Sequence, residues 1–90
     1  MVRYFGQAKG RVQGVGFRFF VQQNSQELGL TGWVRNMSDG TVTMEIQGEQ
    51  ETVEELVRRL REGNCFIKVE EFSMEAREVV PDETGFSVRH

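Results

Sequence analysis

The sequence has very little cysteine, proline or histidine. Cys65 is the only cysteine among 90 residues, so the chain cannot form an internal disulfide or a zinc site built from several cysteines. No apolar run approaches the roughly 18 residues that a membrane-spanning helix needs, and the first residues carry no apolar leader. We therefore expect a cytoplasmic protein that does not engage a membrane.

The sequence also lacks an excess of positive charge. Eleven Lys and Arg face 14 Asp and Glu, which gives a formal net charge of −3. Proteins that bind nucleic acid usually present a broad basic surface, so we expect no nucleic-acid partner. Several basic residues lie in the first twenty positions, and this distribution still permits a local anion site on an acidic protein.

The overall composition is that of an ordinary folded protein. Hydrophobic residues make up 38% of the chain and charged residues 28%, and no shift in composition suggests a boundary. We therefore expect residues 1–90 to form a single domain with one core. Seven Phe, one Trp and one Tyr are available to supply that core.

Hydrophobic periodicity and turn residues predict two helices among five strands. The strands are expected over 2–12, 30–37, 40–47, 66–79 and 86–90, and the helices over 17–28 and around 53–60. This order favours an α+β fold, the ferredoxin-like βαββαβ sandwich. In that fold a four- to five-stranded antiparallel sheet carries two helices on one face.

Two predicted elements raise points of detail. In the strand over 66–79 the apolar residues change phase, and a bulge near Glu70 and Glu71 would reconcile the two phases. The second helix begins either at a capping box of Thr52 and Glu55 or a few residues earlier. Its exposed side is expected to carry the ion pairs Glu54 with Arg58 and Glu55 with Arg59.

The segment over 10–18, between the first strand and the first helix, is rich in glycine. Glycines at 14 and 16 allow a tight turn whose N–H groups, with those of the helix N-terminus, favour an anion such as phosphate. Arg18 can add a two-pronged contact to phosphate oxygens. A Walker loop and a dinucleotide fingerprint are both excluded, because the chain continues with Phe17, Arg18 and Phe19. The spacing alone leaves open that these glycines only shape a tight connection.

A second group of residues surrounds the end of the second strand. Asn36 precedes a turn at Ser38, Asp39 and Gly40, and its amide can both donate and accept hydrogen bonds, so it can orient a water molecule. By itself, an Asn before a turn is more often a turn residue. Trp33 is expected in the core and Arg35 in solvent.

Together, the two segments resemble the two signatures of the acylphosphatase family, in this order and at about this spacing. Residues 10–18 match the first signature, and residues 32–36 with Asp39 and Gly40 match the second. Residues 85–89 resemble the usual ending loosely, and the resemblance covers the whole chain. The family's fold is the same βαββαβ sandwich that the element order predicts.

The resemblance implies a function and a set of site residues. The reaction would be hydrolysis of acyl phosphates, which are carboxylic-phosphoric mixed anhydrides, to a carboxylate and inorganic phosphate. Arg18 would bind the phosphate and Asn36 would position the water. The phosphate loop would consist of Gln13, Gly14, Val15, Gly16, Phe17 and Arg18. Acetyl phosphate, carbamoyl phosphate and 1,3-bisphosphoglycerate are candidate substrates, among which the sequence does not choose.

No metal or cofactor is expected, because no carboxylate or histidine cluster has the spacing of metal ligands. We expect neither His90, at the end of the chain, to act as a general base nor Cys65 to act as a nucleophile. The alternative is a ferredoxin-like module that binds RNA or an acyl phosphate without turnover. The predicted third strand lacks the aromatic residues on which RNA bases stack. We expect a monomer.

Overall fold

A computed structural model describes all 90 residues, from Met1 to His90. The elements are β1 (Val2–Arg11), α1 (Phe17–Glu27), β2 (Thr31–Asn36), β3 (Val42–Gly48), α2 (Gln50–Glu62), β4 (Lys68–Arg77) and β5 (Phe86–Arg89). The predicted order of elements is confirmed. Of the two predicted starts of α2, the earlier one is right, and the helix begins without a side-chain cap. Neither helix is long and apolar enough to cross a bilayer.

The five strands form one sheet in the order β4-β1-β3-β2-β5. β1 pairs antiparallel with β3 and β4, and β2 pairs antiparallel with β3. β5, however, runs parallel to β2, so the ferredoxin-like sheet is mixed and the expectation of a wholly antiparallel sheet is corrected at this edge. The cause is the loop after β4, which crosses the sheet and enters β5 at the end where β4 stopped.

The predicted bulge is present in β4. Lys9 of β1 pairs with Glu71, whereas Gly10 pairs with Val69. Glu70 is therefore the extra residue. A bulge of this kind shifts the side-chain alternation by one position, which accounts for the change of apolar phase in the sequence.

The core lies between the helices and one face of the sheet, and most of it is aliphatic. Val42, Met44 and Ile46 of β3 are completely buried there. Among the aromatic residues only Phe17 and Phe86 are buried, at 1% and 4% exposure. Aromatic residues therefore supply only part of the core.

Trp33 was expected in the core, but this prediction is wrong. The residue lies on the open face of the sheet, opposite the helices. Strand alternation directs its neighbour Val34 into the core, so Trp33 must point the other way. Its ring packs against Phe5 at a centroid distance of 6.4 Å, and the Arg89 guanidinium lies 4.8 Å from the centre of the Trp33 ring. Arg35 is exposed, as predicted.

A buried arginine fastens the loop after β4 to the open face. Arg3 donates hydrogen bonds to Glu45 at 2.6 Å, to Gln47 at 3.1 Å and to both carboxylate oxygens of Glu83 at 2.7 and 3.2 Å. Burial alone would raise the pKa of the Glu83 carboxyl. Hydrogen bonds from Arg3 and Thr31, together with nearby positive charge, outweigh that effect and hold this pKa below its ordinary value.

The charges on α2 pair differently from the prediction in one case. The Glu55–Arg59 pair forms at 3.1 Å, but Arg58 binds Glu55 and Glu62 and makes no contact with Glu54. Hydrogen bonds from Arg58 and Arg59 lower the pKa of Glu55 to about 2. These pairs lie on the solvent side of the helix.

Candidate active site

The connection between β1 and α1 is a tight turn that depends on glycine. Gly14 and Gly16 have φ values of 74° and 77°, in the left-handed region that residues with a β-carbon avoid. A β-carbon at either position would meet no atom within 4 Å, so the requirement for glycine is conformational. Gly16 is also the N-cap residue of α1, directly before its first residue.

The amide groups of this turn are free to bind a ligand. None of the backbone N–H groups of residues 13–19 donates a hydrogen bond to the protein, and the first that does is that of Phe20, to the Gly16 carbonyl at 3.0 Å. α1 has no side-chain cap and no acidic residue in its first turn. Unpaired donors at the positive end of a helix attract anions.

Arg18 lies in the first turn of α1 and has no acidic partner. Its Nη1 atom donates to the Arg89 carbonyl at 3.2 Å and lies 3.3 Å from Nδ1 of His90, so the end of the chain holds the guanidinium in place. Because neither contact is with a carboxylate, the positive charge is not neutralised within the protein.

Asn36 is the last residue of β2, and one of its side-chain atoms stands out. Its Oδ1 is buried and has no hydrogen-bond partner in the protein. Leaving such an acceptor unpaired costs about 1–3 kcal/mol, so a buried polar atom of this kind requires a partner. A donor from outside the protein, such as a water molecule or a ligand, would satisfy it.

Gln13 ties the glycine turn to the turn between β2 and β3. Its Nε2 donates to the carbonyls of Met37 and Thr41, at 2.8 Å each. The second turn is itself held by Asp39, whose carboxylate accepts hydrogen bonds from the Thr41 hydroxyl at 2.6 Å and the Thr41 amide at 3.0 Å. These bonds lower the pKa of Asp39 and keep it ionised. The two segments singled out in the sequence are therefore joined directly.

Both segments border one pocket of about 310 Å³. Its polar lining comes from Gly14, Gly16, Arg18 and Asn36, and its apolar lining from Val12, Phe17, Phe19 and Val88. Four of the six residues predicted for the loop thus reach the pocket. Gln13 and Val15 do not line it, because the first bonds to the β2–β3 turn and the second packs against the core.

The sequence is similar to those of known proteins along nearly its whole length. A family model described as acylphosphatase matches residues 4–88. The chain belongs to the acylphosphatase family. An acylphosphatase of Clostridium beijerinckii is 40% identical over 90 residues, with both chains covered completely. One of Geobacillus thermodenitrificans is 46% identical over 82 residues, which cover 91% of this chain and 87% of the relative.

A solved structure agrees with the sequence relatives. The crystal structure of acylphosphatase from Bacillus subtilis superposes with a TM-score of 0.93 at 34% identity, and the match covers both chains in full. As a member of the acylphosphatase family, the chain is a hydrolase that acts on acyl phosphates.

Three lining residues of this acylphosphatase were not predicted from its sequence. Val12 and Val88 have the alternation expected of strand residues, and only the pairing of β5 with β2 brings Val88 to the pocket. Phe19 carried one signal in the sequence, because it follows Arg18 directly at the start of a helix. A residue in that position lies near whatever Arg18 binds.

Proposed function

We propose that the glycine turn and Arg18 hold the phosphate of an acyl phosphate while Asn36 positions the attacking water. The free N–H groups of residues 13–17 and the guanidinium of Arg18 would bind the phosphate oxygens. The transition state of such a reaction is loose, with charge spread over those oxygens, and donors held in advance stabilise it. The buried Oδ1 of Asn36 would accept a hydrogen bond from the water.

The proposed reaction needs no strong base. The water oxygen attacks phosphorus, the bond from phosphorus to the acyl oxygen breaks, and the carboxylate leaves with the bonding electrons. The proton from the water passes to a phosphate oxygen of the substrate. A carboxylate is a good leaving group, so positioning and charge neutralisation are the main tasks of the protein.

One observation carries this proposal. Arg18, which has no acidic partner, and Asn36, whose buried oxygen has no partner at all, line the same pocket. The two residues come from elements far apart in the chain. Arg18 is free to bind an anion, and the Asn36 oxygen is free to accept a hydrogen bond. A water bound at Asn36 beside a phosphate bound at Arg18 uses both.

The same proposal takes residues 1–90 as a single domain that acts as a monomer, releases inorganic phosphate and uses no metal or cofactor. It is supported by the lining of the pocket, which comes from elements at both ends and in the middle of the chain. The positive charge that a metal ion would otherwise supply is provided by Arg18.

Hydrolysis of benzoyl phosphate by three variants tests the assignment. Arg18→Gln should lower kcat/KM by about a hundredfold to a thousandfold, the usual effect of losing a donor to the transition state. Asn36→Ala should lower kcat to a similar extent while leaving inhibition by inorganic phosphate unchanged. Arg35→Gln removes an exposed arginine that does not line the pocket and serves as the matched control.

Urea unfolding of each variant would separate loss of activity from loss of fold. Turnover retained by both Arg18→Gln and Asn36→Ala, in folded protein, would refute the assigned roles. Equal weakening of phosphate inhibition in Arg18→Gln and Arg35→Gln would show instead that the protein attracts phosphate through its overall charge.

A further inference from the structure

Phe19 is a large apolar side chain that the fold does not use. It is 63% exposed, whereas Phe17 on the same helix is 1% exposed and Phe20 packs against the core. Burying a phenylalanine stabilises a folded protein, and an exposed ring forgoes that gain. Phe19 nevertheless lines the pocket, directly after Arg18. Its exposure is therefore located where a bound molecule would cover it.

The pocket contains a region that the proposed catalytic roles leave unexplained. Phosphate binding uses the glycine turn and Arg18, and water positioning uses Asn36. Val12 and Phe17 are each 1% exposed and form a closed floor, so Phe19 and the partly buried Val88 offer the accessible apolar surface. The acyl group is likewise the one part of the substrate to which no residue has been assigned.

The charges of the lining also restrict the acyl group. Arg18 is the only charged residue that lines the pocket. An acyl group with an anionic substituent would find no second cation there, and it would lose hydration against the apolar surface of Phe19 and Val88. An apolar acyl group would instead cover that surface, and an aromatic one can also stack on a phenyl ring.

We infer that Phe19 contacts the acyl group and makes this enzyme prefer acyl phosphates with an apolar acyl group, above all an aromatic one. The inference rests on the proposed function, because it places the acyl group beside a phosphate held at Arg18. Partial burial of the ring together with aromatic stacking corresponds to about a tenfold gain in kcat/KM. The gain should come mainly from a lower KM, since the contact is present in both ground state and transition state.

The test compares benzoyl phosphate with acetyl phosphate. The ratio of their kcat/KM values is measured for the wild type and for Phe19→Ala, so that differences in intrinsic reactivity cancel. We expect the ratio to fall about tenfold in Phe19→Ala, to fall less in Phe19→Leu, and to stay unchanged in the control Phe66→Ala. Phe66 is a suitable control because it is 66% exposed and does not line the pocket.

Inhibition by inorganic phosphate shows whether a change in the ratio comes from the acyl group or from the phosphate loop. It should be the same in Phe19→Ala and in the wild type, because the phosphate loop is intact. A ratio that does not move, or that moves as far in Phe66→Ala, would overturn the inference while leaving the proposed function in place. If Arg18→Gln instead hydrolysed both substrates as fast as the wild type, the proposed function would be refuted. The inference about Phe19, which rests on that function, would be refuted with it.

Protein stability is measured alongside the kinetics. Exposed side chains away from special features change stability by about 0.5 kcal/mol or less, so Phe19→Ala should unfold at the same urea concentration as the wild type. If that variant were destabilised, Phe19→Leu would still decide the matter. A partial fall in the ratio for that variant, with normal stability, supports the contact, and an unchanged ratio contradicts it.

Discussion

Replacement of Arg3 by methionine should weaken the protein through the charges it leaves behind. The Arg3 side chain is 3% exposed and binds two carboxylates, those of Glu45 and Glu83. Methionine keeps most of the apolar stem but provides no donor. Removing one partner of a buried ion pair costs about 3–5 kcal/mol. Glu83 and Glu45 remain 18% and 24% exposed, so water compensates in part and we expect a loss near the lower end, about 3 kcal/mol.

The loss should depend on pH in a defined direction. The pKa of Glu83 in the folded protein lies below its ordinary value of 4.5. A carboxyl group with a lowered folded pKa contributes its full stability above the unfolded pKa, and that contribution disappears as the pH falls through the folded pKa. Arg3→Met removes a main cause of the lowered pKa. The difference in unfolding free energy between wild type and variant should therefore be largest near neutral pH and shrink in acid.

Urea unfolding followed by the fluorescence of Trp33, the only tryptophan, measures both effects. The matched control is Arg77→Met, since Arg77 lies next to Arg3 in the β1–β4 pairing but is 38% exposed and pairs with a Glu75 that is 73% exposed. An exposed pair of this kind contributes about 1 kcal/mol or less. Equal losses in the two variants, or a loss for Arg3→Met that does not shrink in acid, would refute this reasoning.

Four further outcomes are expected. Gln13→Leu should lower kcat/KM, and it should lower the free energy of unfolding by about 1–2 kcal/mol. The loss is moderate because two hydrogen bonds disappear but each of the two carbonyls keeps a backbone partner. Unchanged kinetics would show that the Gln13 hydrogen bonds do not position the glycine turn. Gly16→Ala should lower the free energy of unfolding by about 1–2 kcal/mol and should also reduce turnover. The control is Gly29→Ala, which has a similar φ but lies outside the pocket and should lower stability alone. Urea unfolding and steady-state kinetics compare the two variants. EDTA should leave benzoyl phosphate hydrolysis unchanged, and inhibition reversed by added magnesium would contradict this. Blocking the exposed Cys65 with a thiol reagent should likewise leave turnover intact, and inactivation in step with labelling would assign that thiol a role.

Local patterns were sufficient for most of the fold. The i, i+3, i+4 spacing in α2 and the phase change beside Glu70 each follow from contacts within one element or one strand pair, and the sequence displays such contacts directly. The direction of β5 depends instead on where a loop crosses the sheet. No periodicity within four residues can encode that crossing.

The candidate site divides in the same way. Glycines, an arginine and an asparagine are informative because their chemistry is unusual wherever they stand, and Arg18 and Asn36 do line one pocket. Phe19 and Val88 have ordinary apolar side chains, so only their location gives them meaning. Trp33 was misplaced for a related reason, since hydrophobicity alone does not tell which face of a strand a side chain occupies.

The parallel pairing of β5 with β2 affects both when the pocket forms during synthesis and how the enzyme is inactivated. β5 has four residues and supplies both Val88 and the carbonyl that holds Arg18. During synthesis the pocket cannot close until this last strand has emerged and docked. In the folded protein, detachment of the short edge strand β5 would abolish activity while the rest of the sheet stays folded. Inactivation should therefore precede global unfolding.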